Sequence, residues 1–272
     1  MQISRAFTIL YRDYTYWIGQ TALALVICLL VAFSAFQVSG EIFGVRARVD
    51  VLYFTAVFFQ FFPFVPFLFV CYREKQVLMR ERKDSVSRVS PAYLSIWTVI
   101  YGFRFLLVTL YTFIVYFIVG LRLPFNYTLV FWLTLIAESW VAMGMGFLLV
   151  TLIPNLAVVE TTASTILLIC IWFSGGFAFN PTCTWILRWI AYLSPIFYAF
   201  NALINNEFKG QQFRPKREAA LELGTTFLKE EGFINYGVWP SIGTLLGFGL
   251  VYMILGYIAL AFVTRPRLRY LN

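Results

Sequence analysis

Long stretches that carry almost no charge recur along this chain, and they constrain it more than any other feature. The hydrocarbon core of a bilayer takes about 20 consecutive apolar residues per helix. Residues 20–39, 51–72, 92–121, 125–153, 156–179 and 239–263 meet that requirement. With 61% hydrophobic and only 12% charged residues, and a mean hydropathy of +0.78, the chain cannot present an ordinary water-soluble surface. Hydrocarbon supplies no partners for backbone polar groups, so each stretch must be a helix. The expectation is an all-α integral membrane protein with six transmembrane helices.

A seventh run, 184–200, is marginal. It is interrupted by Arg188 and Pro195 and ends among Asn201, Asn205 and Asn206. We read it as a re-entrant helix before the last span, a geometry allowed only where protein covers the backbone. Upstream, Ile3, Phe7, Leu10, Tyr14, Trp17 and Ile18 recur at helical spacing while Arg5, Arg12 and Asp13 fall elsewhere. This pattern predicts a helix on the membrane surface, its rival being a polar preamble to the first span.

Six crossings put both termini on one side, and the placement of basic residues agrees. Arg73, Lys75, Arg80, Arg82, Lys83 and Arg88 cluster after the second span, Arg5 and Arg12 precede the first, and Arg265, Arg267 and Arg269 follow the last. All three segments then face the cytosol. The net charge of +8 is therefore an orientation signal. The cations flank spans and form no separate domain, so nucleic-acid binding is excluded.

A single membrane domain over 1–272 accounts for the chain. It comprises an interfacial helix at 1–19, spans one to five in 20–179, an outer re-entrant helix and loop at 180–238, span six at 239–263 and a cytosolic tail at 264–272. Pro63 and Pro66 lie inside the aromatic second span, where they mark either a kink beside a cavity or a packing variant. Gly243 and Gly247, followed by Gly249 and Gly256, suggest close helix approach, as do Gly144 and Gly146. Asn126-Tyr127-Thr128 fits the glycosylation pattern, but it sits against the membrane edge, where we expect it unoccupied. Cys28, Cys71 and Cys170 lie in or beside spans, and Cys183 stands alone near the outer face.

Chemistry is sparse. The chain has no histidine, which removes the commonest general base and metal ligand. No metal site is expected. Charges within the spans are Arg104, Glu138 and Glu160, with Asp50 at the start of the second. Arg104 and Glu138 lie near the middles of adjacent spans, so they could pair, or Arg104 could face substrate. There is no phosphate-cradling glycine loop. A self-contained catalyst is therefore not expected, and no cofactor should bind this chain.

Several motifs carry a resemblance. Phe173-Ser174-Gly175-Gly176 is followed by Trp185 and Trp189, then Ser194-Pro195, Tyr198-Ala199, Ala202-Leu203 and Asn206-Glu207-Phe208. Earlier, Glu74 precedes Arg80-Glu81-Arg82 and Arg88-Val89-Ser90, and Val115-Tyr116-Phe117 precedes Gly120-Leu121. In this order and spacing the chain resembles the membrane domain of G-subfamily ABC exporters, the pleiotropic drug resistance and breast cancer resistance protein group. The resemblance covers nearly the entire chain.

It implies a connecting helix, six spans, a re-entrant helix and dimerisation around a central cavity. It also implies an ATP-binding domain that this sequence lacks, fused upstream or carried on a separate chain, with ATP and Mg bound there. By position, Phe61 and Phe58 would meet hydrophobic, flat substrates in a slot, with Ser164, Leu168 and Ile171 facing it and Arg104 handling substrate. Gly176 and Phe177 would form an apolar plug reduced to one ring. Glu74, Arg80, Glu81 and Arg82 would couple to the ATPase, their rival reading being a merely solvated basic loop.

The activity implied is ATP-driven export of lipids, sterols or xenobiotics by alternating access, at the plasma membrane, from a homo- or heterodimer. Two readings from other classes remain: a membrane-embedded lipid-modifying enzyme, and a passive channel or scaffold. The first would need a polar cluster at one membrane depth. Packing is the plain alternative for each apolar position.

Overall fold

The computed structural model describes residues 14–36, 42–83, 89–122, 125–175, 188–209, 212–213, 222–223 and 237–264. Among the described residues, five helices are long and apolar enough to cross a membrane. They are α1 (Tyr14–Ser34), α2 (Ile42–Lys83), α3 (Val89–Val119), α4 (Phe125–Leu152) and α8 (Val238–Val263). Between α4 and α8 lie α5 (Leu156–Trp172), α6 (Arg188–Leu193) and α7 (Pro195–Phe208). An all-α reading leaves out one small feature. Gln212–Phe213 (β1) pairs antiparallel with Glu222–Leu223 (β2), both between α7 and α8 in the sequence.

Several boundaries move. Residues 14–19, expected in an interfacial helix, are continuous with the first span, while 1–13 lie outside the described residues. The second span does not end at residue 72. Its helix runs on through Arg73, Lys75, Arg80 and Arg82 to Lys83, so most of the expected basic loop is helical. At 1.5 Å per residue α2 is about 63 Å long, twice the thickness of the hydrocarbon core. It also stays helical through Pro63 and Pro66.

Helix ends follow local chemistry. Gly120 adopts φ 70°, a left-handed conformation that ends α3 and that a larger side chain resists. Asn155 caps α5 by accepting a hydrogen bond from the Ala157 N–H at 3.0 Å. Gly175, with φ 84°, closes the turn after α5. Ser194 breaks α6 from α7 just before Pro195, whose missing N–H suits a first helical turn.

Side-chain pairings give the directions. Trp17 meets Phe103, Gln20 meets Arg104 and Cys28 meets the Tyr111 carbonyl, so α1 and α3 are parallel. Tyr101 reaches Ile136 and Trp132 reaches Thr109, so α3 and α4 are antiparallel. On α4, Gly144 and Gly146 face Tyr252 and the Phe64 and Leu68 side chains respectively, and Phe147 meets Gly256, which makes α4 parallel to both α2 and α8. Tyr53 and Tyr72 of α2 reach Ile171 and Pro154 at the two ends of α5, so α1, α3 and α5 run one way, and α2, α4 and α8 the other.

α4 lies at the centre, packed against α2, α3, α5, α7 and α8. One half of the core joins Phe58, Phe59, Phe62, Tyr111, Tyr116 and Phe131 to α7. The other joins Phe64, Phe67, Trp97, Ile100 and Phe147. Every residue of α7 is buried, including the polar Asn201, Asn205, Asn206 and Glu207.

The glycines divide sharply. A Cβ on Gly144 would lie 2.9 Å from the Tyr252 Cβ, and one on Gly256 3.0 Å from Phe147. Gly249 and Gly146 are similarly tight, against Trp140 and against Phe64 and Leu68. Gly243 and Gly247, expected to mark close approach, meet nothing within 4 Å in the protomer. Gly144→Ala should therefore destabilise the fold by about 1–3 kcal/mol through overpacking. Gly243→Ala should be neutral or stabilising by up to about 1 kcal/mol through helix propensity. Thermal unfolding of the two variants in detergent checks the contrast.

Candidate functional site

The aromatic α2 presents two faces. Phe54, Phe61 and Phe69 are exposed, with Phe61 at 49%. Phe58 is only 6% exposed and stacks on Phe62, ring centroids 4.8 Å apart, and on Tyr111 at 5.6 Å. The two phenylalanines singled out together thus point to different environments. On the adjoining α5, Ser164 and Leu168 are exposed, Leu168 at 67%, and Ile171 is half-buried. The same helix exposes Thr161 and Thr165 and half-exposes Glu160.

Arg104 is sunk in the interior. Its Nη2 donates to Gln20 Oε1 at 3.0 Å, and its guanidinium carbon lies 4.8 Å from the centre of the Phe62 ring. An aromatic face and an amide oxygen both suit a desolvated guanidinium. The pairing with Glu138 that the sequence allowed does not form, since among the described residues neither carboxyl oxygen of Glu138 has a hydrogen-bond partner. The two residues sit at similar depth, but Arg104 turns towards α1 and α2.

Of the residues expected to couple to an ATPase, Arg80 is exposed, while Glu74, Glu81 and Arg82 are half-buried. Arg82 Nη1 donates to Thr264 Oγ1 at 2.7 Å, tying the end of α2 to the end of α8. Gly176 and Phe177, the expected plug, lie outside the described residues, as does Cys183.

At the opposite end of the bundle is a polar cluster that sequence reasoning missed. Arg48 near the start of α2 forms a buried ion pair with Glu207 on α7. The Arg122 backbone N–H donates to the other Glu207 oxygen at 3.0 Å, and Arg122 Nη1 donates to the Lys209 carbonyl at 2.6 Å. Arg122 also lies 4.0 Å from the centre of the Tyr127 ring, and Asn206 Nδ2 donates to the Tyr127 carbonyl at 2.9 Å. Burial holds the Glu207 carboxyl above its ordinary range, against the opposing pull of the Arg122 N–H and of Arg48. The other end of α7 is held at the same side, where Ser194 Oγ donates to the Cys170 carbonyl at 2.9 Å.

These features define a polytopic helical membrane protein whose few charges fasten helices together. Residues 2–208 match the family described as ABC-2 type transporter, and the chain belongs to that family. Its curated relatives are G-family ABC transporters. ABC transporter G family member 22 of Arabidopsis thaliana is 29% identical over 170 residues, which is 61% of this chain and 22% of that protein. The broad substrate specificity ATP-binding cassette transporter ABCG2 of Mus musculus is 23% identical over 261 residues, 91% of this chain and 40% of that protein. ABC transporter G family member 5 of A. thaliana is 26% identical over 236 residues, 82% of this chain and 35% of that protein. The chain therefore spans well under half the length of these relatives, and it is a transporter membrane domain.

Removing one partner of the buried Arg48 and Glu207 pair strands the other charge. Arg48→Met should cost about 3–5 kcal/mol. Combining it with Glu207→Leu should recover part of that loss. A double-mutant cycle on thermal stability in detergent reads the coupling, which additive effects would disprove.

Proposed function

We propose that the chain is the membrane conduit of an ATP-driven exporter of hydrophobic, flat molecules such as lipids, sterols or xenobiotics. The observation that carries this reading is a chemical difference between exposed helix faces. α8 exposes Leu246, Leu250, Val251, Ile254, Leu255 and Ile258, a mainly aliphatic face suited to acyl chains, with Trp239, Tyr257 and Phe262 towards its ends. α5 instead exposes Thr161, Ser164 and Thr165 beside Leu168, next to a helix that exposes Phe54 and Phe61. Thr161 and Thr165 bond back to carbonyls of their own helix, and small and polar residues are typical of surfaces that face another helix or a cavity.

In this reading two copies, or this chain and a different membrane domain, bring the α2 and α5 faces together around a slot. Phe61 supplies a stacking face, with Ser164, Leu168 and Ile171 as its neighbours. We assign Phe58 a supporting role, because it is packed inside the protomer. Arg104 acts from the interior by fixing α1 to α3. Gly176 and Phe177 plug the slot.

Six crossings fit the alternating helix directions, with α5, about 26 Å long at 17 residues, as the fifth. α7 fits a re-entrant helix, since both its ends are bonded at the same end of the bundle and its 14 residues reach only about 21 Å. Both termini then lie in the cytosol, at the plasma membrane.

An ATP-binding domain, fused upstream or separate, closes the slot on the cytosolic side and opens it outward. Glu74, Arg80, Glu81 and Arg82 near the end of α2 receive its motion. ATP and Mg bind that domain and not this chain.

With the chain assembled with an ATP-binding partner in vesicles, Phe61→Ala should lower transport of planar aromatic compounds about two- to ten-fold, the worth of a stacking contact. Leu250→Ala on α8 should leave it unchanged. Equal effects of the two would remove the slot from α2. Glu81→Ala should let ATP hydrolysis continue while transport falls, whereas a native ratio of transport to hydrolysis would exclude coupling at that residue. Substrate movement by the chain without nucleotide would favour a passive channel.

A further inference from the structure

Side chains of α2 bond at one end to the close of α4 and the turn that leads into α5, and at the other end to the last turn of α5. At one end Lys75 Nζ donates to three carbonyls, those of Val150 at 2.7 Å, Thr151 at 3.0 Å and Ile153 at 3.3 Å. An ammonium has three N–H donors, and here all are used. The acceptors are the last carbonyls of α4 and the first of the turn into α5, which have no intrahelical donors and form the negative end of a helix dipole. Lys75 is 6% exposed, so its charge is balanced by that helix end in a site with little water. One turn earlier, Tyr72 OH donates to the Pro154 carbonyl at 3.0 Å, and the next residue, Asn155, caps α5.

At the far end Tyr53 OH donates to the Ile171 carbonyl at 3.1 Å, with Ser174 Oγ also 3.1 Å from the same hydroxyl. Tyr53 and Tyr72 are about 29 Å apart along α2, close to the whole length of α5. Between these two fastenings lie Phe61 on one helix and Ser164 and Leu168 on the other. The Lys75 bonds lie where little water can replace them, so that attachment strongly favours staying closed.

We infer that α2 and α5 move as one rigid plate, held in register by Tyr53, Tyr72 and Lys75 as positioning residues. The inference rests on the reading of their exposed faces as one wall of a substrate slot. The slot then opens and closes between protomers, and its two walls within one protomer do not part. Motion delivered to the end of α2 reaches α5 through the Lys75 and Tyr72 bonds to the turn that leads into it.

Two measurements on the chain assembled with its ATP-binding partner test this. In the first, spin labels at Phe61→Cys and Leu168→Cys, diluted with unlabelled chain so that each assembly carries one labelled copy, report the distance within a protomer. That distance should be the same with and without an ATP analogue, and its distribution should broaden in Tyr72→Phe and in Lys75→Met. A nucleotide-dependent change in the otherwise native protein overturns the plate.

The second measurement is transport per ATP hydrolysed. Tyr53→Phe and Tyr72→Phe, which remove only a hydroxyl, should each lower it by about five-fold, the worth of about one hydrogen bond. Lys75→Met should lower it further, and Lys75→Arg should restore most of it. A merely structural role would reduce the amount of folded protein while leaving this ratio native, and that result also overturns the inference. The Phe61→Ala comparison separates the two ideas. If it leaves transport unchanged the slot reading fails, while the label distances still decide whether the plate exists.

Discussion

Hydrocarbon removes the force that gathers helices in water, since an apolar side chain gains little by leaving lipid for protein. What remains is close backbone approach and a small number of hydrogen bonds, and the arrangement of this chain depends on both meeting at α4. Gly144 lets α8 approach α4 so nearly that no Cβ fits, and Gly146 admits Phe64 and Leu68 of α2. From the α8 side, Gly249 and Gly256 receive Trp140 and Phe147. With α2 and α8 seated on opposite flanks of one central helix, their far ends come near enough for Arg82 to reach Thr264. The directions of the remaining helices follow from that core.

The charged groups obey the same economy of contacts. Lys75 is set against a helix C-terminus, Arg48 against Glu207, and Arg104 against an amide and an aromatic face. Each solves the problem of a cation out of water differently, and each joins elements distant in sequence. α1 illustrates the consequence. It packs chiefly on α3, and its specific attachments are Gln20 to Arg104, Trp17 to Phe103 and Cys28 to the Tyr111 carbonyl. A polar residue in the middle of α3 thereby becomes the main fixed point of the first span.

Helix existence was legible because a bilayer demands long uncharged stretches, and α4 and α8 begin and end within a residue or so of the apolar runs. The continuation of α2 to Lys83 was not, because hydropathy registers where lipid ends and not where a helix ends. Azimuth was equally hidden. Phe58 and Phe61 are three residues apart in a helix that is aromatic nearly all round, so periodicity could not say which faces inward. Depth matched Arg104 to Glu138, yet depth alone leaves the rotation of each helix undetermined. Gly243 and Gly247 have the spacing of a close helix contact, but spacing does not name the neighbour, and the neighbour is present at Gly144, Gly249 and Gly256.

Arg48 escaped for a different reason. Basic residues flanking spans are ordinarily weighed as orientation signals, and one on the outer flank counts against the expected topology. Once Glu207 is brought beside it, the pair contributes no net charge to that side, so the rule should discount Arg48. The partner lies 159 residues away on a helix too short to cross the membrane, and no local pattern links them. The same geometry supplies a reason for the burial of α7. A short helix buried on every side needs fixed polar contacts with its neighbours to hold its place. Ser194 at its start and Glu207 and Asn206 at its end are directed to residues of α5, α2 and the segment around α4's first turn. The polar motif that closes α7 is thus explained by the need to hold a short buried helix in place, without any catalytic chemistry.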